Sequence, residues 1–526
     1  MDKSKKPGQN ELDEIENLFK QNKFDELEKK ILELIENYPN FFILFNILGV
    51  VLQKKGELEN SILNFQKTIE LAPNFEQAHN NLGNVLQLLG KHEEAIKCYE
   101  KALQINPKYA EVYCNLSNAL LELGKCDAAI KNCQKAIELK PNYVEAYNCM
   151  GLALSQLCKF NEAINNFEKV IKLYPNYSEA YSSMGNVLSE LGRYEEAIKY
   201  HQKSLKLNPN YTKANFNESI IRLTMRDFKN GWDKYEYRFK VTGIDSIRYA
   251  KNKMWDGSYL KGTLLVWAEQ GIGDHIIFLS MVPDLKKYAK NIVLEIDRRL
   301  VNLFSRYCEK INFKNINVIP LEKKLYNNFD KHIAIGSLGR YLRKSIESFK
   351  TTPSYYLIPE KVNEKKYKKN YLSEDKLNIG ISWKTLNKKQ QYRNINLEEM
   401  LPIFLNSKYN FINLQFGKSE TDLEIMEKKH NIKIQTIPDI DNYHDIEKLA
   451  ALINSLDLVI TIQNSTTHLA GALGKKTLVM LSKNARWHWG INEKNSYWYP
   501  NVKIYKQETL GNWKSVIDSI ILDLGK

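Results

Sequence analysis

Three series of positions recur at a spacing of 34 residues through the first half of the chain. Pro73, Pro107, Pro141, Pro175 and Pro209 form one series. Gly49, Gly83, Ser117, Gly151 and Gly185 form a second, and Ser61, Ala95, Ala129, Ala163 and Ala197 a third. A period of this length, with small residues inside two amphipathic stretches, is the signature of stacked helix pairs. The small residues let the helices of a pair approach closely. The proline ends the second helix and starts the next unit. Such units bury a continuous core only by stacking on one another, so this half of the chain offers a binding surface. Any chemistry has to come from the other half.

The register wears at both ends. Residues 8–41 keep Pro39 but carry Leu27 where the small residue belongs, as an end unit facing water can. Residues 42–211 hold five good copies. Residues 212–245 keep Gly231, replace the proline by Thr242 and gain Trp232, Tyr235 and Tyr237, which predicts a closing unit packed on the next domain. The best copy, EQAHNNLGNVLQLLGKHEEAIKCYEKALQINPKY (76–109), resembles the tetratricopeptide repeat (TPR). The resemblance implies an all-α right-handed superhelix over 8–245, of six or seven helix pairs, whose first helices line the concave surface. Asn81, Asn84, Asn115, Asn118 and Asn186 fall on first helices. An amide both donates and accepts, so a row of them can hold an extended peptide by its backbone. The alternative is that asparagine is simply abundant here and solvated.

The formal charge of +14 and pI near 9.0 admit nucleic acid, an anionic membrane surface or acidic substrates as partners. Lysine is spread along helix faces and no nucleic-acid-binding signature is present, so nucleic acid is set aside. The start, MDKSKKPGQNE, has no apolar core of a secretory signal, and no run reaches the roughly 18 apolar residues of a membrane span. Peripheral membrane contact is the most this pattern allows. Six of the seven cysteines lie in the repeats and none forms C-x-x-C. Reduced thiols in a cytoplasmic protein, with no metal site, are the expectation.

After residue 245 the texture changes. Residues 246–261 read as a connector. Short β-branched runs then alternate with helical stretches, as in open parallel α/β sheets. Strands are expected at Thr263–Glu269 and Asn291–Asp297 around a helix His275–Ala289, and then at Leu377–Trp383, Asn410–Gln415, Ile432–Ile437, Leu458–Ile462 and Thr477–Leu481. This pattern makes two Rossmann-like lobes, 262–372 and 373–526, facing each other across a cleft. Ligands in such folds meet the carboxyl ends of the strands.

The segments AEQGIGDHIIFLSMVP (268–283) and DLVITIQNSTTHLAGALGKKTLVML (457–481) resemble those of the heptosyltransferase-type glycosyltransferases, glycosyltransferase family 9. ISWK (381–384), FINLQFG (411–417) and RWHWG (486–490) follow in matching order. The resemblance implies a GT-B fold, with a last helix, about Trp513 to Leu524, crossing back onto the first lobe. A nucleotide-sugar donor as substrate, inversion at the anomeric carbon, and no obligatory metal or other cofactor are implied with it. It also implies that Asp274 is the general base.

The residues can be read chemically beside it. Asp274 ends a glycine loop containing Gly271 and Gly273, so its carboxylate can face the cleft and take a proton from an acceptor hydroxyl. The same residue type at that place can instead cap the following helix. Gln463, Asn464, Ser465, Thr466, Thr467 and His468 form the turn into a small-residue helix, whose N-terminus suits a leaving diphosphate. Relatives often place Asp at the position of Gln463. Lys384 and Arg393 can supply positive charge for the same diphosphate or be solvated loop charge, Arg393 being the better match to the basic residue the family keeps before the next helix. Glu420 is a further candidate donor contact. The aromatic group Trp487–Trp489 and Tyr497–Tyr499 reads mainly as packing. Together these features point to a sugar transferase whose acceptor is a protein or peptide on the asparagine surface, or a lipid-linked or polysaccharide chain met through the basic surface. The rival expectation is a non-catalytic TPR scaffold carrying a degenerate transferase domain.

Overall fold

The structure is a computed structural model that describes residues 6–241, 247–250, 253–386 and 388–525. It divides into two compact units, Met1–Leu191 and Gly192–Lys526. The expected domain boundary at 245, and Thr242 with it, lie outside the described residues. The compact division falls earlier, so the last helices of the periodic region belong with the sheets.

The first unit is a succession of eleven helices among the described residues, from Gln9–Lys20 to Ser178–Glu190. Its pairing follows from the small residues. A Cβ on Gly49 would lie 2.6 Å from the Phe65 ring, one on Gly83 2.6 Å from Tyr99, and one on Gly151 2.7 Å from Phe167. Each glycine thus makes room for an aromatic ring 16 residues on. At Ser117 the glycine is lost, and the ring is replaced by the smaller, fully buried Cys133. The Ser117 hydroxyl donates to the Ala129 carbonyl at 3.1 Å. The larger residue at 117 thus faces a much smaller partner, so the helices still approach closely. Pro73, Pro107, Pro141 and Pro175 each follow a helix C-cap residue in a non-helical conformation. The seven cysteines of the chain are free thiols, five of them buried.

The asparagines do not form an open row. Asn81 donates to Asn46 at 3.1 Å, and Asn115 donates to Asn80 at 3.0 Å, each bridging one repeat to the next. Asn84 accepts from the Tyr99 hydroxyl at 2.8 Å. Part of their capacity therefore holds the stack together. Asn84 and Asn115 still line a groove of about 540 Å³ with Gln53, Gln87, Glu111 and Glu122. Asn118 and Asn186 are not among its lining residues.

The second unit begins with helices Tyr194–Leu207, Thr212–Thr224 and Phe228–Tyr235 and a 3-10 turn, Glu236–Lys240. Two parallel sheets follow. The first contains β1 (Leu260–Trp267), β2 (Ala289–Ile296), β3 (Ile316–Pro320) and β4 (Lys331–Ala334), in the order β3-β2-β1-β4. The second contains β5 (Leu377–Ser382), β6 (Tyr409–Asn413), β7 (Leu458–Ile462), β8 (Thr477–Leu481) and β9 (Val502–Lys506), in the order β6-β5-β7-β8-β9. In both, the chain starts at an inner strand, works outward, and returns to that strand's other side. The reversal leaves a crevice at the carboxyl ends of β1 and β4, and another at those of β5 and β7.

Several expectations need correction. The helix expected over His275–Ala289 is Ile272–Leu279, followed by a 3-10 turn, Val282–Lys287, because Pro283 cannot donate within a continuing helix. The segment 432–437 is not a strand. Only Gln435 pairs with β6, through its own N–H and C=O at 2.9 and 2.8 Å, before Pro438 removes the next donor. β3 and β4 are short, one ending in proline and one opening on lysine, and neither they nor β9 stands out in the sequence. The connector is partly structured: β1 already starts at Leu260, and Trp255 is buried against Tyr341 and Tyr288. The last helix, Lys514–Leu524, does not cross to the first sheet. Its face of Val516, Ile517 and Ile520 closes the core of the second sheet, so burial there holds it in its own lobe. No helix among the described residues is long and apolar enough to cross a membrane.

Candidate active site

The loops leaving β1, β5, β6, β7 and β8 converge on one cavity of about 220 Å³ between the two sheets. From the first sheet come Gly271, Ile272, Gly273 and Asp274. From the second come Thr385, Arg393, Phe416, Gln463, Asn464, Ser465, His468 and Arg486. The glycine loop and the turn after β7 therefore face each other, as the sequence predicts.

Asp274 lies in the first turn of helix Ile272–Leu279, whose N-cap is Gly271. The Asp274 N–H donates to the Gly271 carbonyl at 2.9 Å, and the residue lines the cavity. Its side chain is only 20% exposed. Burial holds its pKa above the ordinary carboxylate value, with Arg486 the chief opposing influence. Arg486 Nη1 is 3.8 Å from Asp274 Oδ1, a contact that links the two lobes across the cavity. Gly273 packs closely on the opposite wall. A Cβ at that position would meet the His468 ring at 3.1 Å.

On the opposite wall, helix Ser465–Ala472 starts from Asn464, whose side chain accepts from the Thr467 N–H at 3.3 Å. Its amide nitrogen donates to Ser382 at 2.6 Å, which ties the turn to the end of β5. His468 is buried, with Nδ1 2.9 Å from the Tyr499 hydroxyl and the ring stacked on Trp489. Burial, assisted by Arg486, pulls its pKa down to about 3, so the imidazole is neutral. Gln463 is 5% exposed, and its carbonyl oxygen accepts from the Arg486 backbone N–H at 3.3 Å. Among the described residues its amide nitrogen has no hydrogen-bond partner. Two arginines against one carboxylate and a neutral imidazole give this cavity an excess of positive charge.

Not all expected residues reach it. Lys384 is absent from the lining because its ammonium pairs with Asp422, while its carbonyl accepts from Gln415 at 3.2 Å. Thr466 and Thr467 are buried under the helix, with the Thr467 hydroxyl bonded to the Ile462 carbonyl at 2.5 Å. Glu420 is exposed at the start of helix Glu420–His430, and its carboxylate accepts from the Ser419 N–H at 3.0 Å. Conversely, Arg486, Thr385 and Phe416 line the cavity without having been singled out. The signal was present, since each lies within or beside a segment that carries the family resemblance. Their convergence depends on loop paths. The aromatic group beside Arg486 is buried packing: Trp487, Trp489, Trp498 and Tyr499 are each at most 8% exposed.

Comparison with known proteins finds a relative of the chain and solved structures that match its repeats. The chain is 28% identical over 327 residues to Protein FlbA of Caulobacter vibrioides, a match spanning 58% of this chain and 54% of that protein. The chain thus spans about half the length of this relative. Among solved structures, YrrB, described as a TPR protein with an unusual peptide-binding site, is 24% identical with a TM-score of 0.29, covering 35% of this chain and 95% of its own. MamA is 29% identical with a TM-score of 0.29, covering 32% of this chain and 97% of its own. Family models for the tetratricopeptide repeat match residues 49–90, 74–142, 144–177 and 178–211. From residue 49 to residue 211, the chain is built of tetratricopeptide repeats.

Proposed function

We propose that this protein is a TPR-fused glycosyltransferase of GT-B type, which transfers a sugar from a nucleotide-sugar donor to an acceptor recruited by the repeats. The observation that carries the reading is the juxtaposition of Asp274 with a helix N-terminus and two arginines across one cavity. Transfer needs a base for the acceptor hydroxyl and compensation for a departing diphosphate. Asp274 is placed to be the first. Arg393, Arg486 and the start of helix Ser465–Ala472 are placed to be the second. At about 220 Å³ the cavity suits a diphosphate and its neighbouring groups. Whole drug-sized ligands occupy roughly 300–1,000 Å³, so the rest of the donor would extend along the cleft. The acceptor would be a protein or peptide, with Glu111 and Glu122 in the repeat groove favouring a basic segment. A lipid-linked or polysaccharide acceptor would dispense with that groove.

Gln463 favours a second reading, in which the cavity binds a nucleotide sugar without turning it over and the protein acts as a scaffold. A panel of nucleotide sugars and nucleoside diphosphates, followed by thermal shift and then by donor hydrolysis, separates the two. A ligand that binds only the native state raises stability by mass action. Stabilisation with turnover supports the transferase, stabilisation without turnover supports the scaffold, and no stabilisation by any of them removes both.

A further inference from the structure

The closing repeat packs behind the loops that line the cavity. Arg238, in the 3-10 turn that ends the helical region, is fully buried. Its guanidinium donates to both oxygens of Glu269, at 2.6 and 2.9 Å, and to Ser337, Glu236 and the Tyr235 carbonyl at 2.8, 2.9 and 3.1 Å. Gly336 lies so close that a Cβ there would come within 2.5 Å of Glu269. Glu269 directly precedes Gln270, a non-glycine residue held at φ +66°. Such a conformation persists only where its surroundings impose it. Here they include the Tyr235 hydroxyl, which accepts from the Gln270 amide at 3.0 Å. The next residues are Gly271 to Asp274. The same helix also reaches the opposite wall: the Trp232 and Tyr235 rings meet Trp487, beside Arg486, edge-on at 5.4 and 6.1 Å.

We propose that Tyr235 and Arg238 are positioning residues of the site, through which the closing repeat sets the loop that carries Asp274. The repeat region is then a working part of the site as well as a docking surface. The turnover part of the test rests on the transferase reading above; the part that reads loop order does not.

Tyr235→Phe in the full chain is the informative variant, because it deletes one hydroxyl and keeps the buried ring. Removing Arg238 would strand the Glu269 charge, and such a variant can fail to fold. Hydrogen exchange measured by mass spectrometry over residues 270–275 should accelerate about tenfold, with the repeat helices unchanged. Turnover should fall about tenfold at unchanged donor KM. The acid limb of its pH profile should move to lower pH as water reaches Asp274. The groups facing Asp274 are Arg486, Glu269, Tyr235, Tyr499 and neutral His468, and the variant leaves every charge among them in place. Gln270→Gly, which releases the left-handed constraint and keeps the hydroxyl, should behave alike and decides the matter if the first variant does not fold. Exchange and acid limb identical to wild type in both variants would overturn the proposal. If no nucleotide sugar is turned over by the wild type, the transferase reading falls and the exchange data alone decide this one.

Discussion

Replacing Asp274 with Asn tests the candidate base and the helix-cap alternative together. The substitution keeps shape and much of the local hydrogen bonding but removes the charge. At 3.8 Å from Arg486, the gross attraction is about 4 kcal/mol at an effective dielectric constant of ~20. Arg486 is 40% exposed, so solvent screening cuts that to roughly 1 kcal/mol or less. Taking the carboxylate out of water costs several kcal/mol in a buried site. Desolvation wins, which is why the pKa is raised. For an acid raised in the folded state, the associated stability is fully present below the unfolded pKa of ~3.9 and is lost as pH rises through the folded value. Asp274→Asn should therefore melt higher than wild type near pH 7, and the gap should close on acidification. Donor hydrolysis or transfer should meanwhile fall ~10²–10⁴-fold, with little change in donor affinity. Differential scanning calorimetry at several pH values, alongside a turnover assay, reads both. A variant that melts lower at neutral pH and keeps full activity would show that Asp274 only caps its helix, and the reasoning would be wrong.

Arg393→Ala should weaken nucleoside diphosphate binding by ~1–3 kcal/mol in titration calorimetry, whereas Lys384→Ala should leave it unchanged because that ammonium already pairs with Asp422. The reverse ranking would put the phosphate elsewhere. His468 is neutral down to about pH 3, so His468→Gln should show the same pH dependence of binding as wild type between pH 5 and 8; a binding step near pH 6.5 that disappears in the variant would contradict this. Gly83→Ala places a Cβ 2.6 Å from the Tyr99 ring and should cost ~1–3 kcal/mol in denaturant unfolding of the repeats. The same change at Gly90, a helix end with open space but φ +76°, should cost ~1 kcal/mol from backbone conformation alone. Equal and negligible effects at the two sites would argue against the tight pairing.

The helical half was legible because its signal is local and repeated. A residue at Gly83 meets a partner 16 positions away, and the arrangement recurs every 34 residues, so period alone reveals the pairs. The strands β5, β7 and β8 were legible too, as apolar runs buried on both faces. Asp274 and the turn after β7 stood out because glycines and hydroxyls cluster at loops that follow strands. Sequence could not say that the Asn81 and Asn115 amides would be drawn to Asn46 and Asn80, since those bonds join neighbouring repeats. The family resemblance favours Arg393, which lines the cavity, but sequence could not say that Lys384 turns toward Asp422. That difference depends on where helix Glu420–His430 docks. The last helix was placed on the wrong lobe for a similar reason: its apolar stripe specifies that it is buried, and only the unfilled face of the second sheet specifies where. Sequence by itself determined the repeats, the parallel sheets and the residue types at the strand ends. The tertiary structure decided which of those residues meet, because the loops that carry Asp274, Arg393, Gln463 and Arg486 follow different strands and converge only once both sheets have packed.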